Sequence, residues 1–243
     1  MEREELFKEI KRFTIGLDDT FTFKCTQCGK CCIDRNDILL SPRDMYRISK
    51  YLDVSPVQLL IDYCEFYIGK NSNMPIVRLR SEGPFSRCTM LKGTQCLIHE
   101  AKPSVCAMYP LGRYTECDTS VLEGNEMIKT VVHYILQPTD CGNETETHTV
   151  REWLAGFHME SEDVAYLRWN WAISEIGSRL KKLKDHRDEH FMFLAERCSL
   201  VALYLNYSMD EEFLPQFEKN ISELIEQLNT IEEFVNNQGG DAL

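Results

Sequence analysis

The sequence predicts an α+β protein, mostly helical, in which an irregular cysteine-rich part with a few short strands packs against a C-terminal helical part. Three observations predict it. Ten of the eleven cysteines lie before residue 145. Within that stretch, short β-branched runs such as residues 75–80 alternate with loops bearing Gly and Pro. From Thr149 onward there is one cysteine, one proline and long helical periods. The expected division is a metal-binding part over 1–148 and a helical part over 149–243, packed as one unit. Trp153, Trp169 and Trp171 supply the large apolar area for that contact.

Taken in order, residues 2–13 read as a short helix. Cys25 to Cys32 form a tight knuckle around Gly29. Ser41 is an N-cap, Pro42 sits in the first turn, and Asp44 stands where a capping-box acid belongs. That helix runs to about Leu52. Ser55-Pro56 starts a second helix, expected through about Ile68, with Leu59, Leu60, Tyr63 and Tyr67 at helical spacing. Residues 75–80 alternate as a strand. Residues 83–117 are rich in Gly, Pro and Cys and read as an irregular metal loop. Met127–Leu136 is a β-branched strand, and 137–148 is a second loop carrying Cys141. Helices are expected near 149–158, 161–184, 187–207 and 211–236. Pro215 falls in the first turn of the last, where it is tolerated.

Composition excludes several classes. The net charge of −12 argues against nucleic acid as a partner, because phosphate binding depends on Lys and Arg. No run of 18 apolar residues predicts a membrane span. The charged amphipathic start, MEREELFKEIKRF, has no apolar core of a secretion signal. These features predict a cytoplasmic protein in a reducing compartment. Clustered cysteines there read as metal ligands rather than disulfides. At 243 residues the chain can bury a core without covalent staples. Oligomeric state has no signal in the sequence.

The strongest pattern is Cys25-x2-Cys28-x2-Cys31, followed at once by Cys32. This spacing wraps the backbone so that three thiolates converge. With a remote fourth cysteine, here Cys106 or Cys88, it suits a 4Fe–4S cluster. C-x2-C alone suits tetrahedral zinc equally well, and a mononuclear iron site is a further alternative. Adjacent side chains point apart, so Cys31 and Cys32 serve different centres, or one is a ligand and the other supports it. Cys88, Cys96, Cys106 and Cys141 bring the thiols to eight. That is the number for two four-thiolate sites, or for one site with spare thiols. Cys64 and Cys198 read as small core residues. Cys117 fits either role. His99 could ligate zinc or donate to a cluster sulfur, while His133 reads as structural.

Two further readings come from other classes. Residues 45–60 have the look of a helix-turn-helix, yet the candidate recognition helix over 56–68 holds Asp62 and Glu65 and no Lys or Arg. Such a helix lacks donors for phosphates and base edges. A structural zinc module whose helical half binds a protein partner is the other alternative. It would be colourless where an iron–sulfur protein is brown.

The segments Phe23-x-Cys25-x2-Cys28-Gly29-x-Cys31-Cys32, Leu40-Ser41-Pro42-x-Asp44 and Cys88-x2-Leu91-x4-Cys96-x-Ile98-His99-x2-Lys102-Pro103-x2-Cys106-x2-Tyr109-Pro110-Leu111-Gly112-Arg113 occur in that order. Together they resemble the zinc- or iron-chelating cysteine-cluster proteins, the CxxCxxCC or YkgJ-like family, over about residues 21–145. Cys141-Gly142 and Thr149-Val-Arg-Glu-Trp153 look like the end of longer members. The resemblance implies metal binding but no particular reaction. One branch with similar cysteine segments, the flagellin lysine-N-methylases, implies an iron–sulfur cluster and methyl transfer from S-adenosylmethionine to a protein substrate. This chain has no Gly-rich strand–turn–helix of a usual methyl-donor site. If the protein is an enzyme, the chemistry is expected beside the metal, as methyl transfer or as electron transfer to a basic redox partner. Arg113 could then hold the carboxylate of S-adenosylmethionine in its bidentate fork, or simply pair with a carboxylate of the protein. Tyr109 and Tyr114 could cover the cluster or pack in the core.

Overall fold

The computed structural model describes residues 5, 9–117, 130–160, 163–185 and 189–239. Its elements begin with β1 (Thr14–Ile15), β2 (Thr20–Lys24), a 3-10 turn (Lys30–Cys32), β3 (Leu39–Leu40), α1 (Pro42–Leu52) and α2 (Pro56–Tyr63). Next come β4 (Cys64–Ile68), β5 (Pro75–Leu79), β6 (Ser81–Glu82), β7 (Arg87–Cys88), β8 (Leu91–Lys92) and β9 (Gln95–Cys96). A 3-10 turn (His99–Ala101) and α3 (Ser104–Met108) lead into β10 (Leu111–Cys117), β11 (Thr130–Leu136) and β12 (Asn143–Thr149). The C-terminal helices are α4 (Val150–Ala155), α5 (Val164–Asp185), α6 (Glu189–Leu200) with a π-helical turn (Val201–Leu205), and α7 (Phe213–Gly239). The fold is α+β with a helical C-terminal region. Among the described residues, no helix is long and apolar enough to cross a membrane.

Local chemistry explains where α1 starts and stops. The Ser41 hydroxyl accepts the Asp44 N–H at 3.1 Å, and the Asp44 carboxylate accepts the Ser41 N–H at 2.9 Å. This reciprocal pair satisfies two donors that a helix start leaves orphaned. Asp53 ends the helix in the left-handed region, with φ 54°. At α2 the Ser55 hydroxyl accepts the Gln58 N–H at 3.1 Å.

Three expectations need correction. The 83–117 segment is not all irregular, because Leu111–Cys117 pairs antiparallel with β11, from Leu111 opposite Leu136 to Cys117 opposite Thr130. The second helix stops at Tyr63, not Ile68. Cys64–Ile68 instead pairs antiparallel with β5, from Cys64 opposite Leu79 to Ile68 opposite Pro75. Phe66, Tyr67 and Ile68 suit a strand as readily as a helix, and the waiting ladder of β5 decides between the two. The 137–148 segment is not all loop, because Asn143–Thr149 pairs with β2, placing Asn143 opposite Lys24 and Thr149 opposite Thr20. Of the helix expected over 2–13, Glu5 and Glu9–Lys11 are helical, and residues 1–4 and 6–8 lie outside the described residues. Residues 127–129 of the expected strand and residues 161–162 and 187–188 of the expected helices also lie outside them.

The chain forms two compact units, each discontinuous in sequence. The first comprises Met1–Cys31, Gly93–Cys96 and Ser104–Asp163. Its core gathers Phe21 and Phe23 from alternate positions of β2 with Ala107, Met108, Leu111, Tyr134, Val150 and Leu154. Each large apolar side chain buried there contributes roughly 1.5–3 kcal/mol. Trp153 meets Phe21 and Phe23 edge-on at 5.8 and 5.6 Å, and its indole N–H donates to the Met108 carbonyl at 3.1 Å.

The second unit comprises Cys32–Lys92, Leu97–Pro103 and Val164–Leu243. Its sheet has the order β3-β5-β4. Met45, Ile48, Leu59 and Val77 are buried in it, as are Ile176, Leu180, Leu203 and Phe217 of the C-terminal helices. Tyr46 of α1 packs against Tyr207 and Phe213, and its hydroxyl donates to the Glu211 carbonyl at 2.7 Å. Trp169 sits edge-on to Tyr204 and Phe217. Trp171 is partly exposed, with the Arg168 guanidinium 4.4 Å above its ring.

Candidate metal centre

The register of β2 against β12 builds the first part of the site. Lys24 faces Asn143, so the residues just after β2 meet those just before β12. This places Cys141-Gly142 beside the Cys25–Cys31 knuckle. The knuckle turns sharply, with Gln27 at φ 53° and Gly29 at φ 74°, before the 3-10 turn over Lys30–Cys32. Lys30 reaches across it, its ammonium donating to the Asp140 carbonyl at 3.2 Å.

Within this corner three thiols influence one another. The sulfur of Cys28 accepts the backbone N–H of Lys30, and also that of Gly142 and the Thr26 side chain. The Lys30 bond, first of all, holds the Cys28 thiol below its ordinary pKa. Burial and the neighbouring Cys31 oppose this. Burial pushes Cys141 up, and the thiols of Cys31 and Cys28 push it in the same direction. Cys141 Sγ lies 3.5 Å from the Tyr109 hydroxyl, in hydrogen-bond contact. Burial, followed by Cys141, raises the Tyr109 phenol above its usual range. The Tyr109 ring stands edge-on to Phe23 at 5.8 Å.

Gly142 is required here on two grounds. Its φ is +73°, and a Cβ would lie 2.5 Å from the Phe23 ring and 2.6 Å from the Lys24 carbonyl oxygen. Only glycine brings its N–H this close to Cys28.

The other predicted residues lie as follows. Cys25 is exposed, one residue past β2. Cys106 is partly buried on α3, three residues before Tyr109, and Cys96 is partly buried on β9; both belong to the first unit. Cys32 and Cys88 belong to the second unit, so the boundary falls between the adjacent Cys31 and Cys32. Cys88 is buried on β7 and interacts with the buried thiol of Cys64. Burial first, and Cys88 in addition, pushes Cys64 up to about 12. Arg80 braces this place by donating to the Cys64 carbonyl at 2.7 Å. The sequence contains no cue to the Cys64–Cys88 neighbourhood. Cys198 lines a cavity of about 300 Å³ with Arg197 and Asn220. His99, in the second unit, is held below its ordinary pKa by burial and then by Lys102. Arg113 is well buried and pairs with Asp163 at 3.3 Å. The side chain of Cys117 lies outside the described residues.

The donor chemistry fits a soft, thiolate-bound metal. Three cysteines gather in one corner, and N–H groups aim at sulfur as they do around metal–thiolate centres. Among the described residues, no three His, Cys, Asp or Glu side chains close around a single ion position.

These features define a thiolate-rich chelating segment. Residues 24–123 match the model of the CxxCxxCC family, described as a putative zinc- or iron-chelating domain. Over that segment the chain is similar to this family, whose description names chelation of zinc or iron. Neither the curated proteins nor the solved structures give a match. The matched segment ends before Cys141, which the pairing of β2 with β12 and the contact with Tyr109 bring to the motif.

Proposed function

We propose that this protein binds a 4Fe–4S cluster through Cys25, Cys28, Cys31 and Cys141. The observation that carries this reading is the corner in which Cys28, Cys31 and Cys141 interact while Lys30 and Gly142 direct N–H groups at the Cys28 sulfur. The C-x2-C-x2-C spacing with one remote cysteine is a ligand pattern of such clusters. Hydrogen bonds to the sulfurs stabilise the extra negative charge of a thiolate-bound centre.

When bound, the cluster supplies a one-electron redox centre. The net charge of −12 would suit a basic redox partner. Arg113 already has a carboxylate partner in Asp163, so the reading rests on the thiolates and not on S-adenosylmethionine.

The test is iron and acid-labile sulfide analysis, with electron paramagnetic resonance, on protein purified or reconstituted without oxygen. A brown protein with near-equal iron and sulfide, lost in Cys28→Ser and Cys141→Ser but kept in Cys88→Ser, is the expected result. Zinc at full occupancy with no iron or sulfide after reconstitution overturns it.

A further inference from the structure

We propose that Tyr109 is a positioning residue of the metal centre, its hydroxyl holding the Cys141 sulfur toward Cys28 and Cys31. This inference rests on Cys141 being a ligand, as proposed above.

The geometry fixes both ends of the contact. On the tyrosine side, the Met108 carbonyl accepts the Trp153 indole N–H at 3.1 Å, and the Pro110 carbonyl accepts the Gln137 N–H at 3.1 Å. The backbone on either side of Tyr109 is therefore pinned to other elements. The ring is backed edge-on by Phe23, whose carbonyl bonds the His148 ring at 3.1 Å. On the cysteine side, Thr139 donates to the Cys141 carbonyl at 3.3 Å, and Gly142 is locked against Lys24 and Phe23. Between two anchored backbones, the 3.5 Å contact of Cys141 Sγ with the phenol oxygen sets the direction in which the sulfur points.

The chemistry follows from the ligand state. A cysteine binds metal as its thiolate, which is only an acceptor. A phenol is protonated at neutral pH and has one O–H to give. In the metal-free protein the Cys141 thiol donates to the phenol oxygen. Once the sulfur is a ligand, the O–H must donate to it. A group that orients a ligand in this way typically accounts for 10–100-fold in metal affinity.

Cobalt(II) is the probe, because its thiolate charge-transfer absorption reports the sulfurs bound. Titrations compare wild type, Tyr109→Phe, Cys141→Ala and the double variant. Tyr109→Phe keeps the ring against Phe23, so its unfolding midpoint should stay close to wild type while cobalt affinity falls about 10–100-fold. In the Cys141→Ala background, Tyr109→Phe should change affinity less than twofold, since the sulfur it positions is gone. Unchanged affinity in Tyr109→Phe overturns the role, as does an equal loss in both backgrounds. If the wild type assembles the iron–sulfur cluster and Tyr109→Phe is silent, this inference alone fails. If the wild type takes up neither iron nor cobalt, the cluster and the role of Tyr109 fall together.

Discussion

The backbone N–H of Gly142 donates to the sulfur of Cys28, joining the motif near the N-terminus to a loop that no sequence spacing connects with it. The contact exists because β2 and β12 share a ladder and because residue 142 has no side chain. That glycine sets how closely two backbones approach.

Gly142→Ala should therefore damage both fold and site. Alanine at a φ of +73° costs roughly 1–3 kcal/mol as local strain. The clash with the Lys24 carbonyl adds to this, because backbone cannot turn aside as a side chain can. Urea unfolding should show the loss in the metal-free protein, and metal affinity should fall as well. A variant with wild-type midpoint and affinity would show that the backbones are not in close contact.

The two thiol environments should be separable by alkylation. In the metal-free native protein, iodoacetamide at neutral pH should modify Cys28 early and Cys64 last, because reactivity follows thiolate content and access. Stability should respond to pH at Cys64. Its unfolded pKa is near 9 and its folded pKa is raised to about 12. The contribution is thus fully present below pH 9 and is lost as pH rises toward 12, at about 1.4 kcal/mol per pH unit. Cys64→Ala should lower stability at neutral pH but flatten that decline. An equally steep decline in Cys64→Ala would assign it to other groups.

The pair of Arg113 and Asp163 gives a third prediction. Their side chains are 9% and 7% exposed. Asp163→Ala would leave a buried guanidinium short of its carboxylate and should cost roughly 3–5 kcal/mol. Replacing both by apolar residues of similar volume, as in Arg113→Met with Asp163→Leu, should cost far less. Denaturant midpoints of the single and double variants decide it. A single variant no weaker than the double would mean that the pair is already solvated.

Parts of this structure are legible in the residues themselves. Ser41, Pro42 and Asp44 announce α1 because capping is local chemistry, complete within four residues. The long apolar periods after residue 163 announce α5 to α7 for a similar reason. Strand β12 is another matter. Its sequence, NETETHT, offers no apolar alternation, and it is a strand only because β2 pairs with it. Strand β4 was hidden by helix-compatible residues whose partner lies beyond a turn. The same distinction runs through the site. Cys25, Cys28 and Cys31 stand out by spacing. The neighbourhoods of Cys141 with Cys28 and of Cys64 with Cys88 arise from sheet pairing between distant segments, which spacing does not encode.

The way the two units share the chain has a consequence for synthesis. The first unit has all its segments once Asp163 has been made, whereas the second still lacks α5, α6 and α7. The apolar faces of Tyr46 in α1 and Val77 in β5 therefore wait, uncovered, for the last third of the polypeptide. At a translation rate of about 5–20 residues per second that interval lasts on the order of several seconds. During it, a nascent chain already able to gather the knuckle cysteines still displays an unfinished hydrophobic surface to whatever chaperones attend the ribosome.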